Sequence, residues 1–491
     1  MTGARDIRAQ LSHPVIDADG HQLEFEPLLL DYLRDVGGGL FAARAQDALR
    51  TFFGWYELTP SERRAARAVR PPWGLQTTRP DDIAACMVPA LFRRNMDELG
   101  IDYAIVYPTL GVPYVRFAAP ELRSAVCRAI NQFYADNFRD HADRLAPAAM
   151  IPMTTPGQAI AELEHAVGLG LKVIVIDCAV PRPIEALAPL RAQVSPGLAR
   201  VMTWLDTFGV DSELDYDPFW ARCVELGVSP TAHMAGLWGT RTSVSSYVHN
   251  HLGMFGAAGE ALCKSLFLAG VTFRFPRLQV ALLEGGASWA CSLYADLIGH
   301  WEKRNLAAIE AYDPGKLDRD RLVRALREHG GERYARLLER PLDESCRGLF
   351  LLSGWVPEAG WAPRDPALLD EFARCPIARE DDIRDHFVDN FFFGCEAEDP
   401  SVGWALDGRL PMGAQLRVMF GSDIGHWDVT DMRSVLAEAH ELVEHGHVSP
   451  DGFRAFTFDN AVRLHGRHNP GFFRGTSVER AAAAVLEAEP R

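Results

Sequence analysis

A chain of 491 residues, 48% hydrophobic and 24% charged, is long enough to bury one large core with insertions, or two domains. Its formal net charge of −16 opposes non-specific binding to nucleic acid and to anionic membrane, since both need positive charge. The nine cysteines are odd in number, scattered and without a Cys-x-x-Cys pair, which speaks against a disulfide framework and for thiols in a reducing compartment. The segment Met1–Asp6 has no apolar core like that of a signal peptide, and no apolar stretch approaches the roughly 20 residues that span a bilayer. A cytoplasmic protein acting on a small molecule is the expectation, with neither nucleic acid nor membrane as partner.

Short apolar, β-branched runs alternate with longer helix-like stretches, the βαβ pattern of a parallel sheet. In chain order the expected strands are Val15–Asp19, Tyr103–Pro108, Leu145–Ile151, Val173–Cys178, Pro230–Met234, Val280–Leu283, Phe391–Cys395 and Val418–Gly421. Eight such strands are what a TIM barrel requires. Two links are too long for simple barrel loops. The first, about residues 37–99, carries Trp55, Tyr56, Pro71-Pro72-Trp73 and Thr77-Thr78-Arg79-Pro80 and reads as an inserted cap. The second, about 301–389, holds charge-rich helical stretches around Arg321–Arg340. Both read as lids or oligomer contacts on one domain, residues 1–475, followed by a helical tail, 476–491.

In such a barrel the C-terminal ends of the strands face the active-site mouth, so polar residues there are informative. Asp19 and His21 end the first run; on a strand alternate side chains share a face, so these two project together. His233 ends the fifth run, Glu284 the sixth and Asp423 the eighth. Mixed carboxylate and imidazole suit zinc, manganese or iron better than magnesium or calcium. A lone histidine after a strand is more often a hydrogen-bonded structural residue; it is the set that points to a metal. Glu284 follows three apolar residues and needs a partner, either a cation or an arginine. Glu24 favours the start of a helix through the dipole, or folds back three residues from His21 as a ligand. Asp17 lies one pitch deeper, where a structural hydrogen bond is expected. His251 and His426 would lie near the mouth, to serve in acid–base chemistry, polarise a substrate carbonyl or ligate a second metal, or equally as solvated loop residues; His249 is a weaker candidate. Arg241 would pair with a substrate carboxylate or lie on the surface.

The run Asp17-Ala18-Asp19-Gly20-His21-Gln22-Leu23-Glu24 and His233, together with Met96-Asp97-Glu98-Leu99-Gly100-Ile101-Asp102, Phe275-Pro276-Arg277-Leu278, Glu284-Gly285-Gly286, Gly421-Ser422-Asp423 and Asn460–Gly466, resemble the amidohydrolase superfamily. The resemblance is nearest to the amidohydrolase-related branch containing aminocarboxymuconate-semialdehyde decarboxylase and the resorcylate-type decarboxylases. It implies a distorted (β/α)8 barrel and a divalent metal on Asp19, His21, His233 and Asp423. Two departures stand out: Asp19 replaces the first histidine of the usual His-x-His, and Glu284 stands where the decarboxylases often have a histidine.

The expected activity is metal-dependent hydrolysis or non-oxidative decarboxylation of a small carboxylate-bearing molecule. The metal set is Asp19, His21, Glu24, His233, Glu284 and Asp423, and the acid–base set Asp423, His251 and His426. The ion is zinc, manganese or iron, one or two per chain. Two alternatives accompany this reading: a dinuclear iron or iron–manganese oxygenase, and a non-catalytic partner subunit. The aromatics Trp55, Tyr56 and Trp73 suit an apolar carboxylate. A homo-oligomer is the default, or a hetero-oligomer with a related barrel chain.

Overall fold

Ten strands are present in the computed structural model, which describes residues 3–117, 119, 121–194, 199, 202–233, 242–352 and 370–488. They are β1 (Ile16–Gln22), β2 (Tyr103–Pro108), β3 (Leu145–Met150), β4 (Val173–Ile176), β5 (Val180–Pro183), β6 (Thr203–Asp206), β7 (Pro230–Ala232), β8 (Val280–Leu282), β9 (Phe391–Cys395) and β10 (Arg417–Phe420). Eight of them hydrogen-bond in the order β1-β2-β3-β4-β7-β8-β9-β10, every pair parallel. These are the eight strands expected from sequence, and helices alternate with them to give a distorted TIM barrel. A parallel strand buried on both faces must be apolar throughout, which is why β2, β3, β4, β8 and β9 read as continuous apolar runs. The expected end of the fifth run at Met234 lies outside the described residues.

The barrel closes between β1 and the segment after β10 without a regular ladder. The Asp423 N–H donates to the Asp19 carbonyl (3.0 Å), and the His21 N–H donates to the Ile424 carbonyl (2.9 Å). Gly421 permits this approach, because a Cβ there would lie 2.8 Å from the Asp19 Cβ. β1 also runs to Gln22, three residues beyond the expected Asp19, and its register against β2 shifts between Asp17 and Gly20. The extra residue makes a bulge, and such bulges re-aim side chains near active sites.

Sequence reading did not find β5 and β6, a short antiparallel pair outside the barrel. Two prolines and an arginine hide the alternation in β5. Arg182 ties the pair to the barrel unit by donating to Asp206 Oδ2 (3.0 Å), to the Thr154 carbonyl (2.7 Å) and to the Tyr216 hydroxyl (2.8 Å).

The chain divides into two compact units, Met1–Ala295 with Ala378–Arg491, and Asp296–Ile377. The first contains the barrel and the long link after β1. That link begins within the helix Glu26–Phe53, broken at Gly38 (φ 80°), and continues through Pro60–Ala65, Pro80–Met87 and Pro89–Leu99. Gly100 (φ 71°) ends the last of these and turns the chain into β2. The helix Glu380–Val388, assigned from sequence to the second insertion, belongs to the barrel unit. Its Phe387 is fully buried and meets Phe391 and Phe393 of β9, with ring centroids 5.5 and 5.9 Å away. The second unit contains the helix Arg319–Leu337, which is broken at Gly331 (φ 71°) and buries none of its residues. Near the C-terminus the helix Glu479–Ala488 buries Ala482 and Val485. Among the described residues no helix is long and apolar enough to cross a membrane.

Candidate metal centre and active-site cavity

At the C-terminal end of the barrel, Asp19 and His21 of β1 meet three residues that follow other strands: His233 after β7, Glu284 after β8 and Asp423 after β10. His21 Nε2 lies 3.5 Å from Asp19 Oδ1 and 3.2 Å from Asp423 Oδ1. His233 Nε2 lies 3.4 Å from Asp19 Oδ1 and 3.2 Å from Glu284 Oε2. All five side chains are buried. Asp19 Oδ1, His21 Nε2, His233 Nε2, Glu284 Oε2 and both Asp423 carboxylate oxygens make no well-formed hydrogen bond, their near neighbours being one another and, for Asp423 Oδ1, His426. Buried polar atoms are normally satisfied, so a convergence of orphaned donors and acceptors calls for a ligand of its own.

The donor set fits a divalent transition metal. Three carboxylates and two imidazoles offer the mixed oxygen–nitrogen shell of zinc, manganese or iron. Ligand atoms of His21, Glu284, Asp423 and His426 lie within 4.8 Å of one another, as do those of Asp19, His21 and His233. The electrostatics agree. Burial, reinforced by Glu284 and Asp423, raises the Asp19 carboxyl well above its ordinary range. Burial opposes charge on His233 too, but Asp19 and Glu284 outweigh it and lift the imidazole to about 9. Burial also disfavours an ionised Glu284, yet His233 and His251 beside it hold it below its ordinary value. The carboxylates thus favour positive charge beside them, from protonated imidazole or from a divalent cation.

Both strand-end carboxylates sit on left-handed backbone, Glu284 at φ 56° and Asp423 at φ 49°. Such conformations are uncommon outside glycine and cluster at functional sites. Asp17 sets the floor beneath. Its Oδ1 accepts from the Asp19 N–H (3.1 Å) and the Ser422 N–H (2.9 Å), and its Oδ2 from the Ser422 hydroxyl (2.6 Å). This is the structural role the sequence suggested for it.

His426 stacks on His21 with ring centroids 3.8 Å apart, and its Nδ1 lies 2.5 Å from Asp423 Oδ1. Burial works against its charge; Asp423 and Glu284 overcome that and raise it to about 9. His251, in the helix Tyr247–His251, places Nε2 3.7 Å from Glu284 Oε1. His249, on the same helix, is exposed. Arg241 lies outside the described residues.

Glu24 is not brought into the cluster. Its Oε2 accepts from the Leu110 N–H (2.7 Å), and its Oε1 from the Gly111 N–H (3.1 Å) and the Tyr134 hydroxyl (2.9 Å). Both oxygens are engaged in pinning the loop after β2, which differs from the ligand role expected three residues after His21.

Above the cluster opens a cavity of about 480 Å³. His21, His233, Glu284, Asp423, His251 and His426 line its floor and sides, and Val69–Gln76 of the long link contribute Arg70, Pro71, Pro72 and Leu75. Its aromatic lining is Tyr247, Phe255 and Trp427, not the aromatics singled out from sequence. The Trp55 N–H instead donates to the Val244 carbonyl (3.1 Å), and Trp73 is 79% exposed. Asp428 was passed over in sequence reading. It is exposed, yet with His251 and Glu284 it forms a further group whose ligand atoms lie within 4.8 Å. Its only sequence signal was its place two residues after His426.

Residues 40–334 match the family model for amidohydrolases, a span that includes His233, His251 and Glu284 but neither β1 nor β10. No curated protein sequence matches the chain. Among solved structures, a dihydroxybenzoic acid decarboxylase from Polaromonas sp. JS666, with bound manganese and an inhibitor, is 15% identical with a TM-score of 0.48, over 94% of this chain and 99% of that one. A 2,6-dihydroxybenzoate decarboxylase from Rhizobium is 15% identical with a TM-score of 0.47, over 92% and 98%. The Metarhizium anisopliae IDCase is 14% identical with a TM-score of 0.49, over 92% and 97%.

Proposed function

The chain belongs to the amidohydrolase family, and on that premise we propose that it is a metal-dependent enzyme that hydrolyses, or removes carbon dioxide from, a small carboxylate-bearing molecule. The observation that carries this reading is the set of orphaned buried atoms on Asp19, His21, His233, Glu284 and Asp423 at the floor of the cavity. Asp19, His21, His233 and Asp423 would hold the ion, with Glu284 facing it. A bound divalent cation supplies Lewis acidity toward a carbonyl or carboxylate.

The remaining chemistry belongs to the chain. Asp423 is placed to take or return a proton at its carboxylate, and His426 Nδ1, 2.5 Å from Asp423 Oδ1, is placed to relay that proton. His251 Nε2, 3.7 Å from Glu284 Oε1, would pair with it as a second relay on closer approach. Decarboxylation needs a proton delivered to carbon, and hydrolysis needs one taken from water and given to the leaving group. Either relay serves. Phe255, Met254 and Trp427 keep the wall apolar, which strengthens every charge interaction at the floor.

The test is metal analysis by plasma mass spectrometry on protein purified without a metal-affinity column. About one zinc or manganese per chain supports the reading; no metal, with none taken up on reconstitution, favours a non-catalytic barrel. A dinuclear iron or iron–manganese oxygenase is the second reading. It is favoured by Glu284, which turns Oε2 to His233 and Oε1 to His251, with Asp428 in reach of the latter pair. Two metals per chain with iron among them, and oxygen uptake, would select it.

A further inference from the structure

We propose that Thr109 is a positioning residue for His426, and that Glu24, the carboxylate left out of the metal-binding cluster, acts through it. The inference rests on the reading of Asp423 and His426 as an acid–base pair of the cavity.

Thr109 directly follows β2, so it stands at the mouth end of its strand as His233 does after β7. It is half-buried and lines the cavity. Its hydroxyl lies 3.4 Å from His426 Nε2, while the other ring nitrogen, Nδ1, faces Asp423 Oδ1 at 2.5 Å. Each nitrogen thus has its own partner. Nδ1 meets a carboxylate, which accepts, and Nε2 meets a hydroxyl, which can both donate and accept. A half-turn of the ring would put carbon where each nitrogen stands and lose both contacts. The partner of the second nitrogen is what fixes a histidine's orientation, and here that partner is Thr109.

The backbone on either side of this hydroxyl is tied to β1 and to the segment after it. The Thr109 N–H donates to the Gln22 carbonyl (3.1 Å). The next two N–H groups, of Leu110 and Gly111, donate to Glu24 Oε2 (2.7 Å) and Oε1 (3.1 Å). The Tyr134 hydroxyl also donates to Oε1 (2.9 Å). A carboxylate accepts more strongly than a neutral group, so Glu24 holds this backbone more firmly than a glutamine would. Gly111 permits the approach, because a Cβ there would lie 3.1 Å from Glu24 Oε1 and 2.8 Å from the Pro108 Cβ. Glu24 therefore sets the loop, the loop sets Thr109, and Thr109 sets the His426 ring against Asp423. That gives the buried carboxylate a part in the site without making it a ligand.

Nitrogen NMR of histidine-labelled protein tests this, with the His426 ring signals assigned by their loss in His426→Gln. It is run on zinc-loaded protein and on the same protein after chelation, in wild type, Thr109→Val, Thr109→Ser and Glu24→Gln. Valine keeps the branched shape of threonine without its hydroxyl, whereas serine keeps the hydroxyl without the methyl. The expected result is a His426 Nε2 signal displaced from wild type in Thr109→Val and unmoved in Thr109→Ser, with Nδ1 displaced less. Glu24→Gln should displace Nε2 in the same direction by a smaller amount. An unmoved Nε2 in Thr109→Val overturns the proposal. Equal displacement by valine and serine also overturns it, since it assigns Thr109 to packing alone. Zinc loading that turns Nε2 into a metal-bound nitrogen overturns it too, because Thr109 could not then be its partner. An unmoved Nε2 in Glu24→Gln overturns the role given to Glu24. Should Thr109→Val fold poorly, Thr109→Ala removes the hydroxyl and the comparison with serine decides. Zinc content of the same samples reports separately on the proposed function: a wild type that takes up no zinc fails that reading, while the chelated samples still decide this one.

Discussion

Glu284 and Asp423, each following a strand and those strands not neighbours in the barrel, turn into its mouth on the same left-handed backbone, at φ 56° and 49°. Holding a non-glycine residue there costs about 1–3 kcal/mol, and it persists only where the surroundings over-determine it. At Asp423 those surroundings are visible: its N–H is tied to the Asp19 carbonyl, and Ser422 before it is tied to Asp17. Stability has been given up to aim two carboxylates at one place.

Replacement of Asp423 should therefore separate stability from function. Asp423→Gly is expected to unfold in urea at equal or higher free energy than the metal-free wild type, by up to about 1 kcal/mol, because glycine relieves the strain. Both it and Asp423→Asn should fall from near-stoichiometric metal to a small fraction, with a native far-UV spectrum. The same loss is expected in His21→Ala. Full metal retention in His21→Ala and Asp423→Asn would sink the site assignment.

Glu24 offers a contrast, because its carboxylate is spent on Leu110, Gly111 and Tyr134. Glu24→Gln should keep its metal and lose about 1–3 kcal/mol of stability as the charge-assisted hydrogen bonds to two backbone N–H groups weaken. A variant of native stability that lost its metal would place Glu24 in the centre after all.

Gly425 lies at φ 108°, and a Cβ there would come within 2.9 Å of the His21 carbonyl oxygen and 3.2 Å of the His21 Cβ. Gly425→Ala is thus strained in its backbone and pushes on His21. The expected outcome is weakened metal binding, about 10-fold or more, from a residue with no ligand atom of its own. Titration with a fluorescent chelator measures it, and an unchanged affinity would mean that β1 yields without moving His21.

Acid should weaken the fold through a residue outside the candidate metal centre. Burial holds the His465 imidazole down at about 3 against an ordinary 6.5, and the ring stacks on Phe472 with centroids 4.7 Å apart. The native state keeps His465 neutral while the unfolded chain binds a proton below about 6.5. Its contribution is therefore complete above that pH and declines as the pH falls toward 3, by ~1.4 kcal/mol per pH unit. Burial also lowers His13, to about 4, and adds to the decline in the same direction. Urea unfolding of His465→Phe, which keeps the stacked ring, should show a slope between pH 6 and 4.5 shallower by about 1.4 kcal/mol per unit. An unchanged slope would show that His465 is not held neutral in the native state.

The barrel was legible in the sequence because a parallel strand buried on both faces has to be an unbroken apolar run, and eight such runs stand out against amphipathic helices. Asp19, His21, His233, Glu284 and Asp423 were legible for the complementary reason: a polar residue at the end of such a run breaks a pattern that burial otherwise enforces. His251 and His426 followed from their nearness to those ends. All of this is local information, carried within a few residues of each strand.

Partnership is not local, and only the tertiary structure decided it. Three residues after His21, Glu24 reads as a ligand, until two N–H groups from the loop after β2 and the Tyr134 hydroxyl arrive to occupy it. Asp17 finds its partner at Ser422, at the far end of the chain, because the barrel closes there. Trp55 and Trp73 do not line the cavity while Tyr247, Phe255 and Trp427 do, and Arg70 lines it from a link that is neither strand nor helix. A side chain's chemistry is written in the sequence. Whether that chemistry is satisfied by the protein or left for a ligand depends on which distant backbone groups the closed barrel brings within 3 Å of it.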